Sequence, residues 1–110
     1  MRRACVLCAG VALACAVGTA FADELAPARQ AELVRFVRQD CGSCHGLTLK
    51  GGLGPALTPA ALAGKPASYL KSLILDGSHR SAMPAWRAFL TEADAEWIAA
   101  RLLEGFPDAR

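Results

Sequence analysis

Residues 40–46 read DCGSCHG, two cysteines three apart with a histidine directly after the second. No other stretch limits the fold so tightly, because each chemistry that uses this spacing demands its own surroundings. A thiol redox switch needs a strand ahead of the first cysteine and a βαβ context. A zinc site needs four ligands, supplied by cysteine or histidine pairs spaced to wrap one ion. A covalent haem anchor needs chain on both sides to enclose a large flat group, and for electron transfer a second axial ligand from elsewhere.

The cysteine inventory depends on what the mature chain contains. Arg2 and Arg3 precede the apolar run ACVLCAGVALACAVG, which ends in TAFA with Ala20 and Ala22 on either side of Phe21. That three-part pattern predicts a secretory signal peptide over 1–22 with cleavage after Ala22, and the run is short of the roughly 20 residues of a membrane span. VALAC at 11–15 weakly resembles a lipoprotein site with Cys15 acylated, but Ala12 stands where such sites want a larger aliphatic residue. Cleavage downstream is expected, with no lipid anchor. Cys5, Cys8 and Cys15 then leave with the signal, and only Cys41 and Cys44 remain.

The same cut removes Arg2 and Arg3, so twelve basic residues become ten against ten acidic ones and the formal +2 charge falls to zero. With no basic stripe and no interleaved aromatics, nucleic acid is not expected as a partner. Taking 22 from 110 leaves 88 residues, one domain over 23–110. A chain of that size buries a modest share of its surface and commonly relies on a disulfide, metal or cofactor. A bridge between Cys41 and Cys44 would close too small a loop to stabilise much.

Helical signals dominate the rest. APARQAELVRFVRQD (26–40) opens with Pro27, suited to a first turn. It places Leu33, Val34 and Val37 on one face with Phe36 beside them, and predicts a helix ending at the CGSCH stretch. GLTLKGGLGPALTP (46–59) is a glycine-rich, proline-bounded loop, and its KGGLG lacks the order of a phosphate loop. KPASYLKSLILDG (65–77) predicts a second helix with Gly77 just past its end. SHRSAMPAW (78–86) is a connection. TEADAEWIAARLLEGFP (91–107) predicts the last helix, with Thr91 and Asp94 forming a capping-box pattern and Gly105 and Pro107 ending it. No run alternates with period two, so the fold class is all-α.

These surroundings discriminate among the three chemistries. No strand precedes Cys41, which removes the thiol switch. Zinc would have to use Cys41, Cys44 and His79 with His45 as a nominal fourth, yet adjacent Cys44 and His45 aim poorly at one tetrahedral centre. Haem accounts for every position: two thiols add to the porphyrin's vinyl groups and His45 ligates the iron. The other axial face is then expected to take Met83, the one methionine besides the initiator, held in a loop by Pro84 and far along the chain from His45.

With these residues in place the chain resembles the class I cytochrome c family over 26–107. The likeness rests on Phe36 five residues before Cys41, on CGSCH, on the GPAL loop, on the Met83–Pro84 pair and on the closing LTEADAEWIAARL helix. It implies three or more helices wrapped around one haem c, held through Cys41 and Cys44, with His45 and Met83 on the metal. It also implies a Pro55 carbonyl accepting a hydrogen bond from His45, and crossed first and last helices packed through Phe36 and Trp97. CGSCHGLTLKGGLGPALTPAALAGKP, with ILDG, MPAW and EGFP, is similar in particular to the small monohaem cytochromes c encoded beside nitrite reductase in denitrifying bacteria. That likeness implies periplasmic electron transfer, with nitrite reductase or its haem-maturation proteins as partners. A relay for another periplasmic oxidoreductase is the alternative.

An electron carrier, rather than an enzyme or ligand sensor with an exchangeable sixth ligand, is expected because Met83 closes the site and His79 is the sole candidate base. His79, four residues before Met83, reads as an exposed loop histidine; the sharper alternative has it replace Met83 in one redox or pH state. Trp86 and Tyr69 are expected to wall the haem pocket, the KGGLG glycines to let backbone pass close to it, and Lys50, Lys65 and Lys71 to ring its edge and guide an acidic partner.

Overall fold

A computed structural model of the chain describes residues 24–108; the expected signal peptide over 1–22 lies outside the described residues. Helix α1 (Pro27–Phe36) does not stop where the CGSCH motif begins. It runs on through one π-helical turn (Val37–Cys41) into a last helical turn, α2 (Gly42–His45). The reason is visible in the backbone: Phe36, Val37, Cys41 and Gly42 all keep right-handed helical dihedrals. The π turn widens the helix locally and re-aims the CGSCH turn beyond it. Gly46, at φ +88°, ends the element.

A short helix not foreseen in the sequence, α3 (Pro59–Leu62), comes after the glycine-rich loop. Thr58 caps it by accepting the Ala61 N–H, and Pro59 fills the first turn. Helix α4 (Ala67–Asp76) starts after Pro66 and stops at Gly77. Helix α5 (Glu92–Glu104) carries the capping box read from the sequence. Asp94 N–H donates to the Thr91 hydroxyl at 3.1 Å, and the Asp94 carboxylate accepts from Thr91 N–H at 2.9 Å. No strand occurs among the described residues.

The core gathers Leu33 of α1, Val37 of the π turn, Leu49 of the glycine-rich loop, Leu62 of α3, Leu70, Ile74 and Leu75 of α4, and Ala95, Ile98, Ala99 and Leu102 of α5. Helices α4 and α3 both pack against α5, where the fully buried Ala95 and Ala99, four residues apart, leave room for close approach. Tyr69, expected to wall the haem pocket, is exposed on α4, whose buried residues are Leu70, Ile74 and Leu75.

Two long-range contacts fix α1. Arg29 grips the carboxylate of Asp94 with two nitrogens, at 3.0 and 2.8 Å, joining the start of α1 to the cap of α5 across 65 residues. Arg38, on the π turn, donates to the carbonyls of Phe106 and Pro107 at 3.1 and 2.8 Å, and its guanidinium lies over the Phe106 ring. The expected Phe36–Trp97 packing is not what forms. Phe36 sets its edge against Trp86, with centroids 5.2 Å apart, while Trp97 meets Phe106 at 6.2 Å. The π turn and the chain segment after α4 bring Trp86 to Phe36, and the tail beyond Gly105 folds back onto Trp97.

Candidate haem-binding site

The continuous helix delivers Cys41, Cys44 and His45 as one rigid group. Both thiols are free; Cys41 is half-buried and Cys44 exposed. Burial, and then the neighbouring Asp40 carboxylate, push the Cys41 thiol up to about 11. His45 Nδ1 lies 2.7 Å from the carbonyl oxygen of Pro55. A carbonyl can only accept, so this contact assigns a proton to Nδ1, and in the neutral ring Nε2 is then the nitrogen that carries the lone pair. The pairing expected of His45 and Pro55 is therefore present in the geometry.

The loop after His45 folds back over the motif's backbone. Gly51 N–H donates to the His45 carbonyl at 2.8 Å and Gly54 N–H to the Cys44 carbonyl at 2.7 Å. A Cβ on Gly52 would stand 2.7 Å from the Cys44 oxygen, and one on Gly54 would stand 2.8 Å from both Cε1 and Nδ1 of His45. Gly52 and Gly54 thus serve close approach to the motif itself. Gly54 is a site residue that the sequence marks only as one glycine in a run: its missing side chain is the space the imidazole occupies.

Met83 sits half-buried in the segment between α4 and α5. Its carbonyl accepts the Ser78 N–H at 3.1 Å, and the Trp86 and Arg87 N–H groups donate to the Ile74 and Leu75 carbonyls at 3.0 and 3.1 Å. Trp86, three residues beyond Met83, meets Phe36 on α1, which ties the methionine's segment to the helix that carries the motif. His79 is exposed on the turn between Ser78 and Met83. Lys71 is held by Glu92 at 3.0 Å and Glu96 at 3.7 Å, so of the three lysines expected to guide a partner it is occupied within the fold, while Lys50 and Lys65 are exposed.

Zinc is not supported: among the described residues no three His, Cys, Asp or Glu side chains gather to hold a metal ion. The residues do fit haem c. Two unpaired thiols sit on one helix, an imidazole is fixed through one nitrogen with the other open, and a thioether sulfur stands on a separate loop. Fold and site together define a c-type cytochrome of the all-α class I kind, with haem c as its cofactor.

Residues 28–100 match the family described as cytochrome c oxidase, cbb3-type, subunit III, and the chain belongs to that family. It is 58% identical over 87 residues to cytochrome c55X of Paracoccus denitrificans (strain Pd 1222), covering 79% of this chain and 84% of that one. Among solved structures it is similar to the c-type cytochrome NirC, at 52% identity and a TM-score of 0.72, over 74% of this chain and 95% of that one. A more distant likeness, 32% identity over 83 residues, links it to the dihydro-heme d1 dehydrogenase of Pseudomonas aeruginosa, covering 76% of this chain and 17% of that protein.

Proposed function

We propose that this protein is an exported, periplasmic one-electron carrier of the denitrification system, passing electrons to nitrite reductase or into the maturation of that enzyme's specialised haem. The observation that carries the reading is the His45–Pro55 contact at 2.7 Å, in a chain 52% identical to a protein named c-type cytochrome NirC. The likeness to cytochrome c55X and to one segment of a dihydro-heme d1 dehydrogenase supports the denitrification setting. No helix among the described residues is long and apolar enough to cross a membrane.

Bound haem supplies a single iron that alternates between two oxidation states. The chain's own residues do the rest. Cys41 and Cys44 would form the two thioethers, both from the one continuous helix that also carries His45. His45 offers Nε2 to the metal while Pro55 holds Nδ1–H, a partner that orients the ring and makes it more basic. Met83 would supply a thioether sulfur as a further ligand to the metal, a donor that would raise the potential. The His45 ring is held by the Pro55 carbonyl, and the backbone on either side of Met83 is hydrogen-bonded to the end of α4, so both residues that would hold the metal stand on supported backbone.

The test is stopped-flow mixing of the reduced, haem-loaded protein with oxidised nitrite reductase, and separately of the oxidised protein with a dihydro-haem d1 dehydrogenase and its reduced substrate. Oxidation of this protein by the first, or its reduction by the second, is the expected result. Electron exchange with neither partner, alongside normal exchange with an unrelated periplasmic oxidoreductase, would contradict the assignment.

A further inference from the structure

The end of α4 and the segment that carries Met83 are built as one unit, and a single residue permits it. A helix leaves its last carbonyls without intrahelical donors. Here Gly77 N–H donates to Leu73, Trp86 N–H to Ile74 and Arg87 N–H to Leu75, at 2.9, 3.0 and 3.1 Å. The chain leaves α4 at Gly77, makes an exposed turn through His79 and Arg80, and returns so that the Met83 carbonyl accepts the Ser78 N–H at 3.1 Å. The Arg87 side chain then closes on Asp76 at 2.8 Å. The methionine's backbone is thereby registered to the helix on both sides.

This return passes directly over Gly77. The residue is at φ +71° and ψ −169°, a region that side-chain-bearing residues avoid. A Cβ built there would lie 2.7 Å from the Met83 carbonyl oxygen, 2.9 Å from Ala85 N and 2.9 Å from Pro84 C. All three are backbone atoms, so no rotamer change relieves the overlap; the Met83 segment itself must lift. Gly64 provides the contrast, with φ +78° and nothing within 4 Å of its hypothetical Cβ.

We propose that Gly77 is the positioning residue for the second axial ligand: its bare backbone lets the Met83–Ala85 segment seat on the end of α4, and that seating holds the methionine sulfur on the metal. The proposal rests on Met83 being that ligand. Any side chain at 77 would lift the segment and open the methionine's side of the haem to exogenous ligands, while the His45–Pro55 side stays as it is.

Three haem-loaded proteins test it: the wild type, Gly77→Ala and Gly64→Ala. The readouts are the weak far-red methionine-to-iron band of the oxidised form and the affinity for added imidazole. The wild type and Gly64→Ala are expected to show the band and bind imidazole alike. Gly77→Ala is expected to lose the band, or to bind imidazole at least tenfold more tightly. An unchanged band and affinity in Gly77→Ala overturns the proposal, as does an equal loss in Gly64→Ala, which would make the effect one of backbone strain alone. A wild type without the band overturns the methionine reading instead, so the two failures are distinct. Amide hydrogen exchange on the wild type decides the matter should Gly77→Ala not accumulate. The Ser78, Trp86 and Arg87 amides are expected to be protected like the amides of α4, and rapid exchange at Ser78 overturns the proposal.

Discussion

Replacing Asp94 by Asn tests how the helix bearing the haem motif is held in place. The Asp94 side chain is almost fully buried and takes two hydrogen bonds from Arg29, at 3.0 and 2.8 Å. Those bonds, opposed by burial and aided by the Thr91 N–H, lower its carboxyl from an ordinary 3.8 to about 2. At ~1.4 kcal/mol for each pH unit this corresponds to about 2.5 kcal/mol of folding stability. The Arg29 side chain remains about a third exposed, and solvent screening brings the expected figure down to about 1.5 kcal/mol.

Because the folded value is the lower one, the stabilisation is complete above the unfolded carboxyl's value near 3.8 and is lost as pH falls through about 2. Urea unfolding of the haem-loaded wild type and Asp94→Asn should therefore give a gap of about 1.5 kcal/mol at neutral pH, most of it gone by pH ~2. Asparagine keeps an oxygen for the Thr91 N–H, so the gap isolates the charge rather than the cap. In a cycle with Arg29→Gln, the two substitutions should be strongly non-additive. A gap that persists undiminished in acid, or additive behaviour, would refute the reasoning.

Other substitutions probe the site itself. Gly54→Ala puts a methyl where the His45 ring lies, 2.8 Å from Nδ1, and should loosen the bond to Pro55. Losing about 1 kcal/mol of that bond's influence makes the imidazole less basic and should raise the reduction potential by about 40 mV, read by redox titration. Met83→Ala should lower the potential by on the order of 100 mV and admit imidazole or cyanide, which optical titration would detect. His79→Ala should leave the magnetic circular dichroism of the oxidised protein unchanged across about pH 5–9, because His79 is exposed on its turn; an altered spectrum would revive ligand exchange at this position.

How legible each feature is in the sequence depends on how local its signal is. The capping box at Thr91 and Asp94 is three residues of chemistry, and it forms as the pattern predicts. The end of α4 at Gly77 is legible for the same reason, but its second role, against Met83, arises only once the chain returns. The π turn has no compositional mark, since it differs from ordinary helix by one residue in its hydrogen-bond spacing, so the periodic pattern ends the first helix too early. Helix α3 does have a signal, Thr58 before Pro59, masked by the glycine-rich loop leading to it. The Arg29–Asp94 pair, the Phe36–Trp86 contact and the Arg38 clamp join residues 50 or more positions apart. No periodicity encodes such pairings.

The site divides in the same way. CGSCH is contiguous and declares its chemistry; the Pro55 partner comes from family likeness and has a distance attached, 2.7 Å. Gly54 is hidden among its neighbours, because a glycine that makes room for a ring looks in sequence like one that makes a turn. Met83 is reached by elimination and by its distance along the chain, and the packing of its segment on α4 supplies the physical reason that such a loop can hold a ligand steadily.

The intact mass of the protein recovered from the periplasm, together with peptide mapping, bears most directly on the central claim. The expected species is a chain beginning at Asp23 that carries one haem, with both Cys41 and Cys44 modified on the same peptide. A chain of unmodified mass with two titratable thiols, from cells competent to attach haem, would contradict it.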